Sequence, residues 1–188
     1  MDLTGKLLIA MPGMGDPRFE HGVVFICAHG SEGAMGLIVN KPLPRPGFAE
    51  LLAQLGLHPE AGAAVDMAAP AVLFGGPVET SRGFVLHSPD WSGQAASMAV
   101  TPDLSMTATR DILEAMAEGR GPAQALLALG YAGWGPGQLE REILDNGWLT
   151  TEGDAALTLD RDHATKWSRA LRKIGVDPLT LSAAAGRA

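Results

Sequence analysis

The links between the first apolar runs of this chain are too short for parallel crossovers, and that limits the folds open to it. Leu7-Leu8-Ile9-Ala10-Met11 stops at Pro12-Gly13, Val23-Val24-Phe25-Ile26-Cys27-Ala28 forms a second run, and only a Gly30-Ser31-Glu32-Gly33 turn separates it from Met35-Gly36-Leu37-Ile38-Val39-Asn40. A crossover to a parallel neighbour needs about a dozen residues, whereas a short turn joins antiparallel strands. Helical periodicity appears later in the chain, so the expected class is α+β: a mixed, curved sheet tending to a pseudo-barrel, with helices packed outside. At 188 residues and 46% hydrophobic, without an internal repeat, the chain fits one domain over residues 1–188.

Further along, Pro42, Pro44 and Pro46 make a stiff connector. Phe48, Leu51, Leu52 and Leu55 recur at helical spacing up to Gly56, and residues 59–70 read as a loop. Ala71–Phe74 and Gly83–His87 read as partner strands joined through Gly75-Gly76-Pro77. Short strands are predicted over 96–100 and 104–106, then a helix over 109–118 and a second helix from Pro122 to Gly130. The stretch from Gly130 to Leu149 reads as strand, glycine turn, helix and strand: Tyr131–Trp134, a helix starting near Pro136 with Leu139, Ile143 and Leu144 inward, a stop at Asn146-Gly147, then Trp148-Leu149. Ala156–Leu159 reads as a late strand. Asp160 stands as N-cap of a last helix striped by Ala164, Trp167, Leu171 and Ile174.

The formal charge of -7 and pI near 5.1 argue against a surface built for phosphate backbones. One cysteine, Cys27, excludes an intrachain disulfide or a multi-cysteine metal site and suits a reducing compartment. The first residues carry an acid where a signal peptide wants base, and no apolar run reaches the roughly 18 residues of a membrane span. A cytoplasmic protein with no metal and no cofactor is therefore expected.

Strand alternation puts Cys27 and His29 on one face, where a thiolate–imidazole pair is conceivable. His29 and His87 each end an apolar strand, with His21 nearby in sequence to the former, which is too thin a set for zinc. Arg82, in a glycine-rich stretch lacking a P-loop's lysine, is suited to clamp a carboxylate or phosphate. The glycines around Trp134 open the backbone, and Trp134, Gln138 and Glu140 supply a flat wall, an amide and a carboxylate for a polar ligand. The plainer reading makes Tyr131 and Trp134 core aromatics. On the last helix, Lys166, Arg169 and Lys173 share a face opposite the apolar stripe, either solvated or an interaction surface for an acidic partner or a second copy of this acidic chain. The predicted helix pair over 109–129 has almost nothing to read bases or hold phosphate, so direct nucleic-acid binding is not expected.

Seven blocks carry a resemblance: Leu7–Pro12; Asp16 with Phe19; Cys27-Ala28-His29; Gly33–Pro42; Gly75–Val78; Arg82–His87; and Gly130–Glu140. Together they resemble the YqgE/AlgH family of bacterial proteins. The resemblance implies a cytosolic single-domain protein with a branched mixed sheet curled toward a barrel. One branch of the family is linked to regulation of alginate production, so its members are labelled transcriptional regulators. It implies no catalytic residues. Ala28 departs from the acid the family usually places before the second-strand histidine. The expected function is a non-enzymatic cytosolic binding or regulatory module; the alternative is a small-molecule binder or enzyme using a crevice beside Tyr131–Glu140 with Arg82 or His87.

Overall fold

In a computed structural model of the chain, which describes residues 1–58, 69–93 and 97–181, the three early runs become β1 (Lys6–Ala10), β2 (Val23–Gly30) and β3 (Gly33–Ile38). They pair antiparallel in sequence order, as their short links require. The other strands are β4 (Val72–Phe74), β5 (Val78–His87), β6 (Met98–Thr101), β7 (Leu104–Thr107), β8 (Ala125–Trp134) and β9 (Trp148–Glu152). The sheet order is β6-β7-β5-β8-β3-β2-β1-β9, with β4 also on β8. All pairs are antiparallel except β4 with β8, so the sheet is mixed. It curls until its ends approach: a Cβ placed on Gly5, just before β1, would lie 2.6 Å from Thr101 Cγ2 at the end of β6. Among the described residues five α-helices pack on this half-barrel: α1 (Phe48–Gln54), α2 (Arg110–Ala117), α3 (Gln138–Leu144), α4 (Ala155–Thr158) and α5 (Lys166–Lys173).

β8 corrects the helix predicted from Pro122 to Gly130. Leu126 and Ala128 face the inside of the curl with Leu7, Phe25 and Leu37, while Leu127 faces outward with Val72 and Ile112 under α1 and α2. A strand buried on both faces has no polar alternation, and its apolar run reads like a buried helix. β8 is also the branch point: β5 lies along one side, and β4 and β3 pair with successive lengths of it. Between those lengths Gly130 takes φ 75°, and the facing of side chains inverts there. Tyr131 joins the inner cluster that even-numbered residues occupied before the kink, and Ala132 and Trp134 turn outward under α3.

The predicted β4–β5 hairpin is likewise overturned, since the two strands pair with β8 and not with each other. Their link crosses the β8 backbone so closely that a Cβ on Gly76 would sit 2.0 Å from Tyr131 C, and one on Gly130 2.3 Å from the Gly76 oxygen. Backbone meets backbone here, which only glycine allows. Beyond the crossing β5 bulges: Val78 pairs with Tyr131 and Gly83 with Leu129, so four residues, 79–82, stand opposite Gly130.

Smaller differences have local causes. Ala155–Thr158 is a helical turn, capped by the Asp154 carboxylate accepting from the Leu157 amide at 2.8 Å, where a strand was expected. A 3-10 turn at His163–Thr165 precedes α5, so Thr165 and not Asp160 is its N-cap. Leu144 is 80% exposed rather than inward. Most of the predicted 59–70 loop, and the start of the strand expected at 96, lie outside the described residues.

Candidate functional site

The inner face of the sheet is covered by α4 and α5 over β1 and β2, where Leu157, Ala170 and Leu171 join Leu7, Phe25 and Leu37. Among the described residues no helix covers it at the other end. There a groove of about 820 Å³ runs between the β2–β3 turn and the β5 bulge. Its floor is apolar, made of Met35, Val78, Phe84 and Tyr131, with the rings of Phe84 and Tyr131 edge to face at 5.7 Å. Its rim is charged: Glu32 from the turn, and Glu79 and Arg82 from the bulge. The Arg82 guanidinium lies 5.1 Å above the Phe84 ring and reaches Glu79 at 3.4 Å. Both groups are more than half exposed, so that pair is weak.

On the opposite face of β8 the Gly130–Leu149 stretch folds as strand, turn, helix and strand, and closes a second hollow of about 480 Å³ against the β1–β2 loop. Its centre is Glu142. One carboxylate oxygen accepts the indole N–H groups of Trp134 (2.9 Å) and Trp148 (2.8 Å), and the other accepts the Gln138 amide at 2.9 Å. Gln138 in turn accepts the Gly135 amide at 3.0 Å. This is a brace that locks two large aromatics and the start of α3. Sequence reasoning passed over Glu142; the signal was its position four residues after Gln138, one helical turn away, between two tryptophans.

Glu140 points elsewhere. The Leu3 amide donates to His29 Nδ1 at 3.2 Å, so the imidazole proton sits on Nε2 and is donated to Glu140 at 2.8 Å. A hydrogen bond from its own backbone amide, and then this histidine, hold the Glu140 carboxyl below its ordinary value. Of the five predicted ligand residues, Arg82 and Trp134 meet at the groove, Trp134 and Gln138 meet at the second hollow, and Glu140 is drawn to His29. His87 joins neither. It pairs with Ala125 at the far end of β8, fully buried, donating from Nδ1 to the Ser88 carbonyl (2.7 Å) and accepting at Nε2 from the Thr107 hydroxyl (2.8 Å). Burial lowers its pKa.

The Cys27–His29 pairing fails because a bulge falls between Ile26 and Ala28. Cys27 faces the inner cluster, while His29, opposite Ala34, turns to the outer side. Burial pushes the Cys27 thiol up to about 12, which removes it as a nucleophile at neutral pH. Among the described residues no three of His, Cys, Asp and Glu converge as a metal site.

The cationic face of the last helix needs the largest correction. Lys166 is fully buried, Arg169 pairs with Asp160 at 2.9 Å, and Lys173 pairs with Asp154 and donates to the Glu152 carbonyl at 2.8 Å. These charges are absorbed by the fold. Lys166 lies one turn before the buried Ala170, inside the packed face rather than opposite it.

The described residues thus form a curled mixed half-barrel with a branched central strand, a groove on its inner face and internally braced polar groups. The chain belongs to the AlgH-like family, whose profile matches residues 7–179. It is 57% identical over 188 residues to a UPF0301 protein of Ruegeria pomeroyi, covering the whole of both chains, and 56% identical over 190 residues to one of Paracoccus denitrificans, covering 100% of this chain and 97% of that one. The solution structure of the AlgH protein from Pseudomonas aeruginosa is similar at a TM-score of 0.78 and 41% identity, over 94% of this chain and 91% of that one. Protein DIP2367 of Corynebacterium diphtheriae, 19% identical with a TM-score of 0.68 over 94% and 88%, shares the fold. No helix among the described residues is long and apolar enough to cross a membrane.

Proposed function

We propose that this AlgH-like protein is a non-enzymatic binding module of the bacterial cytosol that docks a segment of a partner protein in the groove at the open end of its half-barrel. The observation that carries this reading is the groove itself: an apolar floor left uncovered within a charged rim, the anatomy of a protein interface. The groups that would serve chemistry support it from the other side. The Cys27 thiol is buried, His87 and His29 use both ring nitrogens, and Glu142 is held by three donors. On the rim Arg82 already has Glu79, whereas Glu32 makes no ion pair among the described residues. With a net charge of -7, this favours a partner segment with apolar side chains and a cation placed to meet Glu32. Regulation, where the family label applies, would run through that partner and not through DNA, because Lys166, Arg169 and Lys173 of α5 are engaged within the fold.

A photo-crosslinking side chain at Val78, introduced in living cells, tests this. The reading expects a discrete adduct at Val78 that disappears with Met35→Glu, and none from the same probe at Arg120 on the far side. An adduct of doubled mass would make a second copy of the chain the occupant. Equal labelling at both positions, or none at Val78, rejects the groove.

A further inference from the structure

α5 is held on the inner face of the sheet by a buried lysine that has no carboxylate in contact among the described residues. The Lys166 ammonium donates to the Val39 carbonyl (2.8 Å), the Thr158 carbonyl (2.9 Å) and His163 Nδ1 (3.2 Å). Three N–H donors meet three acceptors from three parts of the chain: the end of β3, α4, and the turn before α5. The arrangement requires His163 to be neutral with its lone pair on Nδ1. A proton on that nitrogen would set an N–H against an ammonium, turning an attraction into a repulsion in a buried place. His163 also forms part of the wall of a cleft of about 400 Å³ with His21, Lys41 and Trp167, so protons have a route to it.

We propose that Lys166 and His163 form a latch, limited to one proton, that holds α5 on the sheet and releases it on acidification. Asp160 and Asp162 favour protonation of both groups from a distance and Arg169 opposes it at Lys166, but each has its own partner elsewhere. Asp160 is taken by Arg169, Asp162 accepts from the Thr165 hydroxyl at 2.7 Å, and across the cleft Lys41 donates to the Glu20 carbonyl at 2.6 Å, with His21 edge-on to Trp167. The sheet and α4 offer carbonyls alone.

Burial pulls Lys166 down to about 7 from 10.5, and burial together with Lys166 holds His163 below its ordinary 6.5. Both groups bind protons more weakly when α5 is docked. From 10.5 down to about 7 the released lysine carries a proton that the docked one lacks; below 6.5 the released histidine does. Release therefore takes up close to one proton between about 10.5 and 7, where the opening constant rises about tenfold for each pH unit lost, and goes on taking up protons below 6.5 through His163. Above 7 the neutral amine still satisfies both carbonyls, so the latch stays shut. Release uncovers the inner face where Ala170 and Leu171 meet Leu7, Phe25 and Leu37.

Hydrogen exchange of the whole protein, followed by NMR from about pH 5 to 9, reads this as the exchange rates of the Ala170 and Leu171 amides divided by their intrinsic rates. The wild type should show the tenfold slope above about pH 7 and a continued rise in opening below about 6.5. Lys166→Met should flatten it above about pH 7 and His163→Gln below about 6.5. A Lys166→Met slope parallel to wild type overturns the latch, and so does an unchanged acid slope in His163→Gln, which keeps the test alive should the first variant not fold. Identical opening constants at Leu171 and at Leu8 in β1 would mean that the fold opens as a whole, which also overturns it.

Discussion

Glu142 and Lys166 carry opposite charges, and each is held by three neutral groups: two indoles and an amide around the carboxylate, two carbonyls and an imidazole around the ammonium. Both lie in regions whose sequence suggested a surface for ligands or partners. They differ in water. Glu142 is half-buried on the wall of an open hollow, whereas Lys166 is sealed beneath α5. A charge that keeps some solvent can brace its neighbours while water meets its remaining needs; one that is sealed must have every proton matched, and its protonation becomes coupled to the docking of the element that seals it.

The sharpest way to break the comparison is to delete each ion. Lys166→Ala should cost about 4 kcal/mol, because it leaves two buried carbonyls and a buried imidazole without a donor and opens a cavity. Glu142→Ala should cost about 2 kcal/mol, since water can reach the orphaned indoles, and Glu142→Gln about 1 kcal/mol because an acceptor remains. Urea denaturation measures both, and equal losses would erase the distinction drawn from burial. Titration sharpens it. With Lys166 lowered to about 7, the unfolded chain holds a proton the folded one lacks between there and 10.5, so stability should rise with pH by about 1 kcal/mol per unit just above neutrality. Glu142→Gln should keep that slope and Lys166→Met should lose it. The smallest effect belongs to the partly exposed pairs: Lys173→Ala should shift stability by less than about 1 kcal/mol.

Much of the early sheet was legible in the sequence because Pro12-Gly13 and Gly30–Gly33 bound the strands and fix short links. β8 was not, because a strand buried on both faces carries no alternation. The β4–β5 link has the glycines and proline of a hairpin turn, yet they serve a backbone crossing over Tyr131 that only three dimensions reveal. At the site, Arg82 and Trp134 both line one groove, but its apolar floor comes from β3, β5 and β8 together and has no local signature. Cys27 and His29 are separated by a bulge, and Lys166 reads as part of a solvated or interacting face because lysines seldom go fully inside.

The claim joining these regions is that Lys166 of the last helix is sealed within the fold and is not part of an accessible cationic surface. Amine acylation of the native protein at about pH 8, resolved by mass spectrometry, tests it most directly. Lys166 should stay unmodified while Lys6, Lys41 and Lys173 react, and should react once the protein is denatured. Labelling of Lys166 in the native protein at the rate of Lys173 would contradict the account.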